Sequence, residues 1–458
     1  MSHIFHPSVL REYDVRGIVG DTLHIEDAVA LGRAFGTRVR QDGGHRVVVG
    51  RDGRLSSPEF ASKLIEGLTS TGIDVLDVGL GPTPMTYFSV YELDADGGIM
   101  VTGSHNPSDY NGFKMMLGRK AFFGDQIQNL GQIAKDGAFE SGSAGVESVD
   151  VEDRYVDRLL RDFEGAELSV VWDAGNGAAC QALEKLVAKL PGRHEVINGD
   201  VDGTFPNHHP DPTVEKNLEQ LKAEVRSRGF DLGIAFDGDG DRIGAVDSHG
   251  RVVWGDQLLA ILARDVLADL PGSTIIADVK ASQGLFDEIA RLGGEPVMWK
   301  TGHSLIKSKM AEAQSPLAGE MSGHIFFSHR FYGFDDALYA AIRLMNAVSN
   351  HGGSLAALRD ELPQMINTPE LRFDCPDERK FDIVSEIVAR LRERGVDFSD
   401  IDGARVQNED GWWLLRASNT QAVLVARAEG RDEAALGRLK SQLVAVLSES
   451  GVAAPEGL

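Results

Sequence analysis

Short apolar runs recur along the chain, each followed by a polar or glycine-rich loop and then by a segment of helical period. The apolar runs fall at 46–50, 73–79 and 98–101, at 168–172, 232–236 and 243–247, and at 273–279, 295–299 and 316–318. Helix-period segments between them include 58–70, 178–190, 214–228, 256–267 and 283–292. Uninterrupted apolar strands alternating with helices imply sheets covered on both faces. The three groups predict three related α/β units. Past residue 362 the pattern changes. PQMINTPE carries two prolines and breaks the helix. A strand at 371–375, a helix at 379–394, adjacent strands at 412–417 and 422–428 and a helix at 433–447 predict a smaller α+β module on a hinge.

Boundaries follow from composition. GAFESGSAG at 137–145 reads as a linker, and the stretch around 250–255 divides the second unit from the third. The expected domains are 1–148, 149–251, 252–362 and 363–458 in a chain of 458 residues. Charge narrows the partners. Lys plus Arg number 46 and Asp plus Glu 70, a net charge of −24. Such a surface repels nucleic-acid phosphates and anionic lipids, so neither is an expected partner. An anionic ligand would need a local basic pocket. The chain has no uninterrupted apolar stretch of bilayer-spanning length, and its N-terminus lacks the apolar core of a signal peptide. Cys180 and Cys375 form no CxxC pair. They read as buried thiols in a reducing cytoplasm.

The strongest chemical signal is IAFDGDGDR at 234–242. An apolar strand runs into Asp237, Asp239 and Asp241 at alternate positions, and Gly238 and Gly240 let the loop curl so that the carboxylates converge. Three carboxylates suit a hard divalent cation such as Mg²⁺. An EF-hand would need Gly where Arg242 stands and Glu where Ser248 stands. Arg242, beside the metal, is set to address a phosphate.

A second strand delivers the polar loop TGSHNPSDYNGFK at 102–114. Ser104 lacks the flanking glycines of a hydrolase elbow, since Thr102 and Asn106 occupy those positions. It could instead carry a phosphoryl group, whose oxygens are natural ligands for the metal on the aspartates. Alone, the loop reads equally as a decorated Asn-Pro turn. KTGH at 300–303 offers a cation, a hydroxyl and an imidazole before a helix. EMSGH at 320–324 sets Glu320, Ser322 and His324 at spacing two, on one side of an extended loop, as donors and acceptors for sugar hydroxyls. Either loop alone also reads as surface polarity or a helix cap. In the last module Arg416, Ser418, Asn419 and Thr420 form either a hairpin turn or a phosphate cradle. YDVRG at 13–17 is uninformative by itself.

Together these loops resemble the α-D-phosphohexomutase superfamily, and within it the bacterial phosphomannomutase/phosphoglucomutase family. The likeness spans nearly the whole chain and keeps the motif order YDVRG, TGSHNP with its downstream lysine, DGDGDR, KTGH, GEMSGH and RASNT. It implies three related α/β domains and a smaller mobile α+β domain around a central cleft. It implies a phosphoserine at Ser104 and Mg²⁺ on Asp237, Asp239, Asp241 and Ser104. Sugar is read by Glu320 and Ser322, with Tyr13, His105, Arg242, Lys280 and His324 beside it. Arg416, Ser418, Asn419 and Thr420 hold the distal phosphate. The reaction implied moves phosphate between carbon 6 and carbon 1 of mannose or glucose through a hexose 1,6-bisphosphate, which also serves as activator. Arg16, Lys114, His303 and Lys280 are candidates for phosphoryl stabilisation or proton transfer, and the sequence does not rank them. GEMSGH differs by one residue from the GEQSGH of phosphoglucosamine mutases, so that activity is the alternative. Sugar phosphates are the expected partners; oligomeric state is not fixed by the sequence.

Overall fold

The structure, a computed structural model, describes every residue except Met1, Ala166, Thr420 and Glu456. Four sheets form in chain order. In the first, strands Arg46–Arg51, Asp74–Leu80 and Gly97–Val101 run parallel at the centre. Tyr110–Leu117 and Val15–Ile18 extend it antiparallel. Helices Ile25–Gln41 and Ser57–Thr69 cover one face, and Thr83–Glu92 the other. The predicted two-sided burial holds: Val47 and Val49 pack into one core and Val48 into another, all fully buried.

The second sheet centres on Leu168–Asp173 and Leu232–Phe236, parallel to each other, with Ile243–Asp247 antiparallel beside them. The third centres on Thr274–Asp278, flanked in parallel by Glu295–Trp299 and Leu317–Gly319. The fourth is an antiparallel sheet with Gly411–Ala417 and Val423–Gly430 at its middle, backed by helices Asp377–Glu393 and Glu433–Glu449. This is the α/β architecture expected, with a smaller α+β unit last.

The structure differs from the sequence reading in several places. The helix read at 178–190 is shorter, Cys180–Val187, because Gly177 and Ala178 belong to a turn packed on the 237–238 backbone. The helix read at 214–228 splits into a 3₁₀ turn, Glu215–Leu218, and helix Glu219–Arg228. The proline-bounded stretch after helix Leu355–Asp360 is not all connector: Ile366–Asn367 pairs with the fourth sheet at Gly430 and Glu429. Among the described residues no helix is long and apolar enough to cross a membrane.

Candidate active site

In the α/β units polar loops leave the C-terminal ends of the parallel strands, where ligands of open α/β sheets bind. Strand Gly97–Val101 delivers Thr102–Ser104, and Leu232–Phe236 delivers the aspartates. Thr274–Asp278 delivers Lys280, Glu295–Trp299 delivers His303, and Leu317–Gly319 delivers Glu320. The hairpin of the fourth sheet brings Ser418 and Asn419. All meet at one cleft, lined also by Tyr13, Arg16, His105, Lys114, Arg242, Ser322, His324 and Arg416. Asp237, Asp239 and Asp241 lie beneath it, fully buried. Thr420 lies outside the described residues.

The serine and aspartate loops touch backbone to backbone. A Cβ on Gly238 would stand 2.5 Å from the Ser104 carbonyl oxygen, so only glycine fits there. This approach puts Ser104 Oγ 3.0 Å from Asp237 Oδ2 and 3.3 Å from His105 Nδ1. Asp237 Oδ1 accepts the N–H groups of Asp241 and Arg242, both at 3.1 Å. Lys114 Nζ donates to Asp239 Oδ2 at 2.7 Å and to Asp241 Oδ2. Thr83 Oγ1 also donates to Asp239, at 2.5 Å.

The three carboxylates offer oxygens within 4.8 Å of one another. Asp239 Oδ1 and Asp241 Oδ1 are buried without a hydrogen-bond partner, although His324 Nε2 stands 3.3 Å from the latter. Unpartnered carboxylate oxygens converging in a buried site, all hard donors, fit a divalent cation. Burial, and then Asp239 and Asp241, push the Asp237 carboxyl well above the usual carboxylate range. Burial also disfavours the Asp241 charge, but Lys114 and His324 outweigh it and hold that group well below.

The loop at 320–324 is a tight turn, not the extended segment the spacing suggests. Glu320 N–H donates to the His324 carbonyl and Gly323 N–H to the Glu320 carbonyl, at 2.9 and 3.0 Å. The turn still gathers the three side chains. His324 Nδ1 lies 3.0 Å from both Glu320 Oε2 and Ser322 Oγ. His324 stacks on His303 with ring centroids 5.5 Å apart. Both face Asp335 Oδ2, at 3.8 and 3.7 Å. Burial opposes a charge on His324, yet Asp241 and Glu320 raise it to about 9. Burial and then Lys307 hold His303 well below the ordinary histidine value. Burial, then Arg242 and Arg16, do the same to His105.

The acidic chain does build a basic pocket. Arg11, Arg16, Lys114, Arg242, Lys280, Arg372 and Arg416 line the cleft against Asp14, Glu320 and Glu370. Arg11, Arg372, Glu370 and Asp335 do not stand out in the sequence. Lys280 is tied to Glu370 at 2.9 Å, and Arg416 Nε to Asp402 at 2.9 Å. Lys114 sits on strand Tyr110–Leu117 rather than on a polar loop, with its backbone fixed opposite Met100. Met321 does not line the cleft; its sulfur rests against Arg427.

Comparison with known proteins gives the family. Family models for phosphoglucomutase/phosphomannomutase α/β/α domains I, II and III match residues 8–140, 153–250 and 254–366, and that for the C-terminal domain matches 370–446. The phosphomannomutase/phosphoglucomutase of Pseudomonas putida is 46% identical over 434 residues, 94% of each chain. That of Pseudomonas aeruginosa is 44% identical over 435 residues, 95% of this chain and 94% of its own. The crystal structure of a phosphoglucomutase/phosphomannomutase family protein from Burkholderia thailandensis superposes with a TM-score of 0.93 at 42% identity, covering 99% of this chain and all of that one. An Aspergillus fumigatus N-acetylphosphoglucosamine mutase, solved with GlcNAc-6P and magnesium, shares the fold at a TM-score of 0.61 and 14% identity, covering 98% of this chain and 97% of its own. The chain belongs to the phosphoglucomutase/phosphomannomutase family.

Proposed function

We propose that Ser104 is the phosphoryl carrier of a phosphohexomutase that interconverts the 6- and 1-phosphates of mannose and glucose. Membership of the family makes the chain an intramolecular phosphotransferase; the assignment of roles to residues is our reading. One observation carries it: the Ser104 hydroxyl stands 3.0 Å from Asp237, in a carboxylate trio, on the floor of a cleft also lined by Arg416, Ser418 and Asn419 of the fourth unit.

Phosphate monoesters are kinetically inert in water, so the transfer needs a very large acceleration. Phosphorylated Ser104 gives its phosphoryl group to the free hydroxyl of a hexose monophosphate. The Oγ–P bond breaks, a sugar O–P bond forms, the hydroxyl proton passes to a nearby base, and the departing Ser104 Oγ takes up one proton to become a hydroxyl again. The bisphosphate turns end over end, and its other phosphoryl group returns to Ser104. Arg16, Lys114 and Arg242 donate to phosphoryl oxygens at this end of the cleft, and His105 packs beside Oγ. His303 is the candidate for exchanging the hydroxyl proton; Lys280, held by Glu370, orients the sugar. Asp237, Asp239, Asp241 and Ser104 would hold Mg²⁺, which when bound neutralises charge on the phosphoryl group in transit. Magnesium in the fungal mutase of the same fold supports this cofactor, and hexose 1,6-bisphosphate is the activator we propose.

Glu320, Ser322 and His324 read the 3- and 4-hydroxyls, which roughly exchange places when the sugar turns over. That reading is nearly blind to carbon 2, where mannose and glucose differ. Tyr13, Arg416, Ser418, Asn419 and Thr420 take the non-reacting phosphate, and the domains at 1–148, 149–251, 252–362 and 363–458 each supply one wall. Glucosamine phosphate is the weaker alternative, since relatives at 42–46% identity are named for mannose and glucose or for glucose alone. Two buried free thiols suit a reducing compartment, and we propose the cytoplasm. The test is a coupled mutase assay on mannose, glucose and glucosamine phosphates with added bisphosphate, alongside Ser104→Ala. Phosphate on a Ser104 peptide and loss of turnover in the variant are expected; near-normal turnover rejects the reading.

A further inference from the structure

Ser104 has a left-handed backbone, with φ at +48°. For a residue with a Cβ this costs about 1 kcal/mol or more, so its surroundings must hold it there. Its N–H donates to Thr102 Oγ1 at 2.8 Å. Its carbonyl is held from below by Arg54, whose side chain is wholly buried.

Arg54 lies beneath the serine loop like a template. One terminal nitrogen donates to the carbonyls of Ser104 at 2.7 Å and Asn106 at 2.6 Å. The other donates to the carbonyls of Tyr110 at 3.0 Å and of Pro107. Nε donates to Asp52 Oδ2 at 3.2 Å. Each of the five N–H groups of a guanidinium thus has an acceptor, and four of these are backbone oxygens, three from the irregular loop and one from Tyr110, the first residue of the strand that follows it. Asp52 grips the other flank: its Oδ2 also accepts from Thr102 Oγ1 at 2.8 Å and from Gly103 N–H at 3.1 Å. The fit is close, since a Cβ on Gly103 would stand 2.4 Å from both Cζ and Nε of Arg54. Phe205, from the second unit, closes the underside 5.3 Å from the guanidinium carbon.

We propose that Arg54 is a positioning residue for phosphoryl transfer: through its backbone bonds it holds Ser104 in the left-handed conformation that aims Oγ at Asp237. Arg54 does not line the cleft, so it touches neither sugar nor phosphate. A lysine keeps the charge but offers three hydrogens from a single point and cannot hold four carbonyls spread around a planar fork. The proposal rests on Ser104 being the phosphoryl carrier.

The test is Arg54→Lys in the full chain with Mg²⁺. The expected result is a kcat lower by about 100-fold, the usual cost of a displacement near 1 Å at a reacting atom, with KM for the hexose phosphate unchanged. Phosphorylation of Ser104 by hexose 1,6-bisphosphate, read by mass on the Ser104 peptide, should slow by the same factor. A folded Arg54→Lys with wild-type kcat per folded molecule, or one that changes KM alone, overturns the proposal. Should Arg54→Lys fail to fold, Gly103→Ala carries the test, because its methyl would push the loop off the guanidinium while leaving the arginine itself in place. The same loss of kcat at unchanged KM supports the template, and an unchanged kcat overturns it. Ser104→Ala run alongside separates the two readings. Retained turnover there defeats the carrier assignment, whereas lost turnover with an unaffected Arg54→Lys defeats only the template.

Discussion

The phenolic oxygen of Tyr13 accepts a hydrogen bond from Asn419 Nδ2 at 2.5 Å and donates one to the Thr301 carbonyl at 2.7 Å. One hydroxyl from the first unit therefore ties a loop of the third to a loop of the fourth. Gly302, beside Thr301, packs so closely on the Tyr13 ring that a Cβ would stand 2.4 Å from its Cζ. Tyr13→Phe keeps the ring and removes the bridge. Losing the two hydrogen bonds of this hydroxyl, about 1 kcal/mol each, should raise KM by about 5- to 30-fold. Substrate-induced compaction in small-angle scattering should weaken in parallel; a variant that compacts and binds as wild type would leave the bridge without a role.

Arg416 is held by Asp402 through Nε, and it lines the cleft beside Ser418 and Asn419. Arg416→Ala should raise KM for the hexose phosphate by about 10- to 100-fold, the worth of a charged hydrogen bond, and should leave Ser104 phosphorylated. Steady-state kinetics and the Ser104 peptide mass check both halves. An unchanged KM makes Arg416 a turn residue.

Metal binding has its own readout. Asp239→Asn removes one charge from the trio while keeping its shape, and Mg²⁺ affinity by calorimetry should fall by at least about tenfold. EDTA should silence the wild type and Mg²⁺ restore it. Full turnover in EDTA would remove the cation from the scheme.

Asp336 gives a prediction independent of catalysis. Its carboxylate caps helix Ala337–Asn350 by accepting the Tyr339 N–H at 2.9 Å, and it accepts from the Tyr155 hydroxyl. Burial, only partly offset by these bonds, raises its pKa to about 7. A carboxyl with a raised folded pKa binds its proton more tightly when folded than when unfolded. Stability is therefore lost as pH rises from about 4 to about 7, and the loss is constant above that. Asp336→Asn abolishes this titration. From pH 4 to pH 8, the unfolding free energy from urea titration should shift in the variant's favour relative to wild type, by up to about 4 kcal/mol. Parallel pH curves for the two proteins would refute the assignment.

The sequence shows the aspartates and Ser104 plainly because each follows an uninterrupted apolar strand, and because glycines mark where those loops curl. Strand Tyr110–Leu117 is hidden: YNGFKMML starts with polar residues and a glycine, so Lys114 looks like loop although it lies on a strand. Gly112 is there because the neighbouring strand's Val15 carbonyl would stand 2.1 Å from a Cβ, a pairing invisible in one dimension. Asp335 and Glu370 escape notice for another reason. The meaning of each comes from what folds against it: His303 and His324 in one case, Lys280 in the other. Arg54 stands in RDGR after a strand, yet nothing local marks the loop it holds, 50 positions and more away.

The contact between Gly238 and the Ser104 carbonyl joins two sheets whose strands are separate in sequence. Ser104 and Asp237 are 133 positions apart. On a ribosome the serine emerges long before its aspartates, and the first sheet can form while the second is still being made. Throughout that interval the loop has no carboxylates opposite it and no cation to gather. The reactive centre is thus made by docking rather than by the folding of either sheet. On the carrier role proposed for Ser104, a growing chain would hold a chemically silent serine, and only a chain assembled past its second sheet could be charged with phosphate.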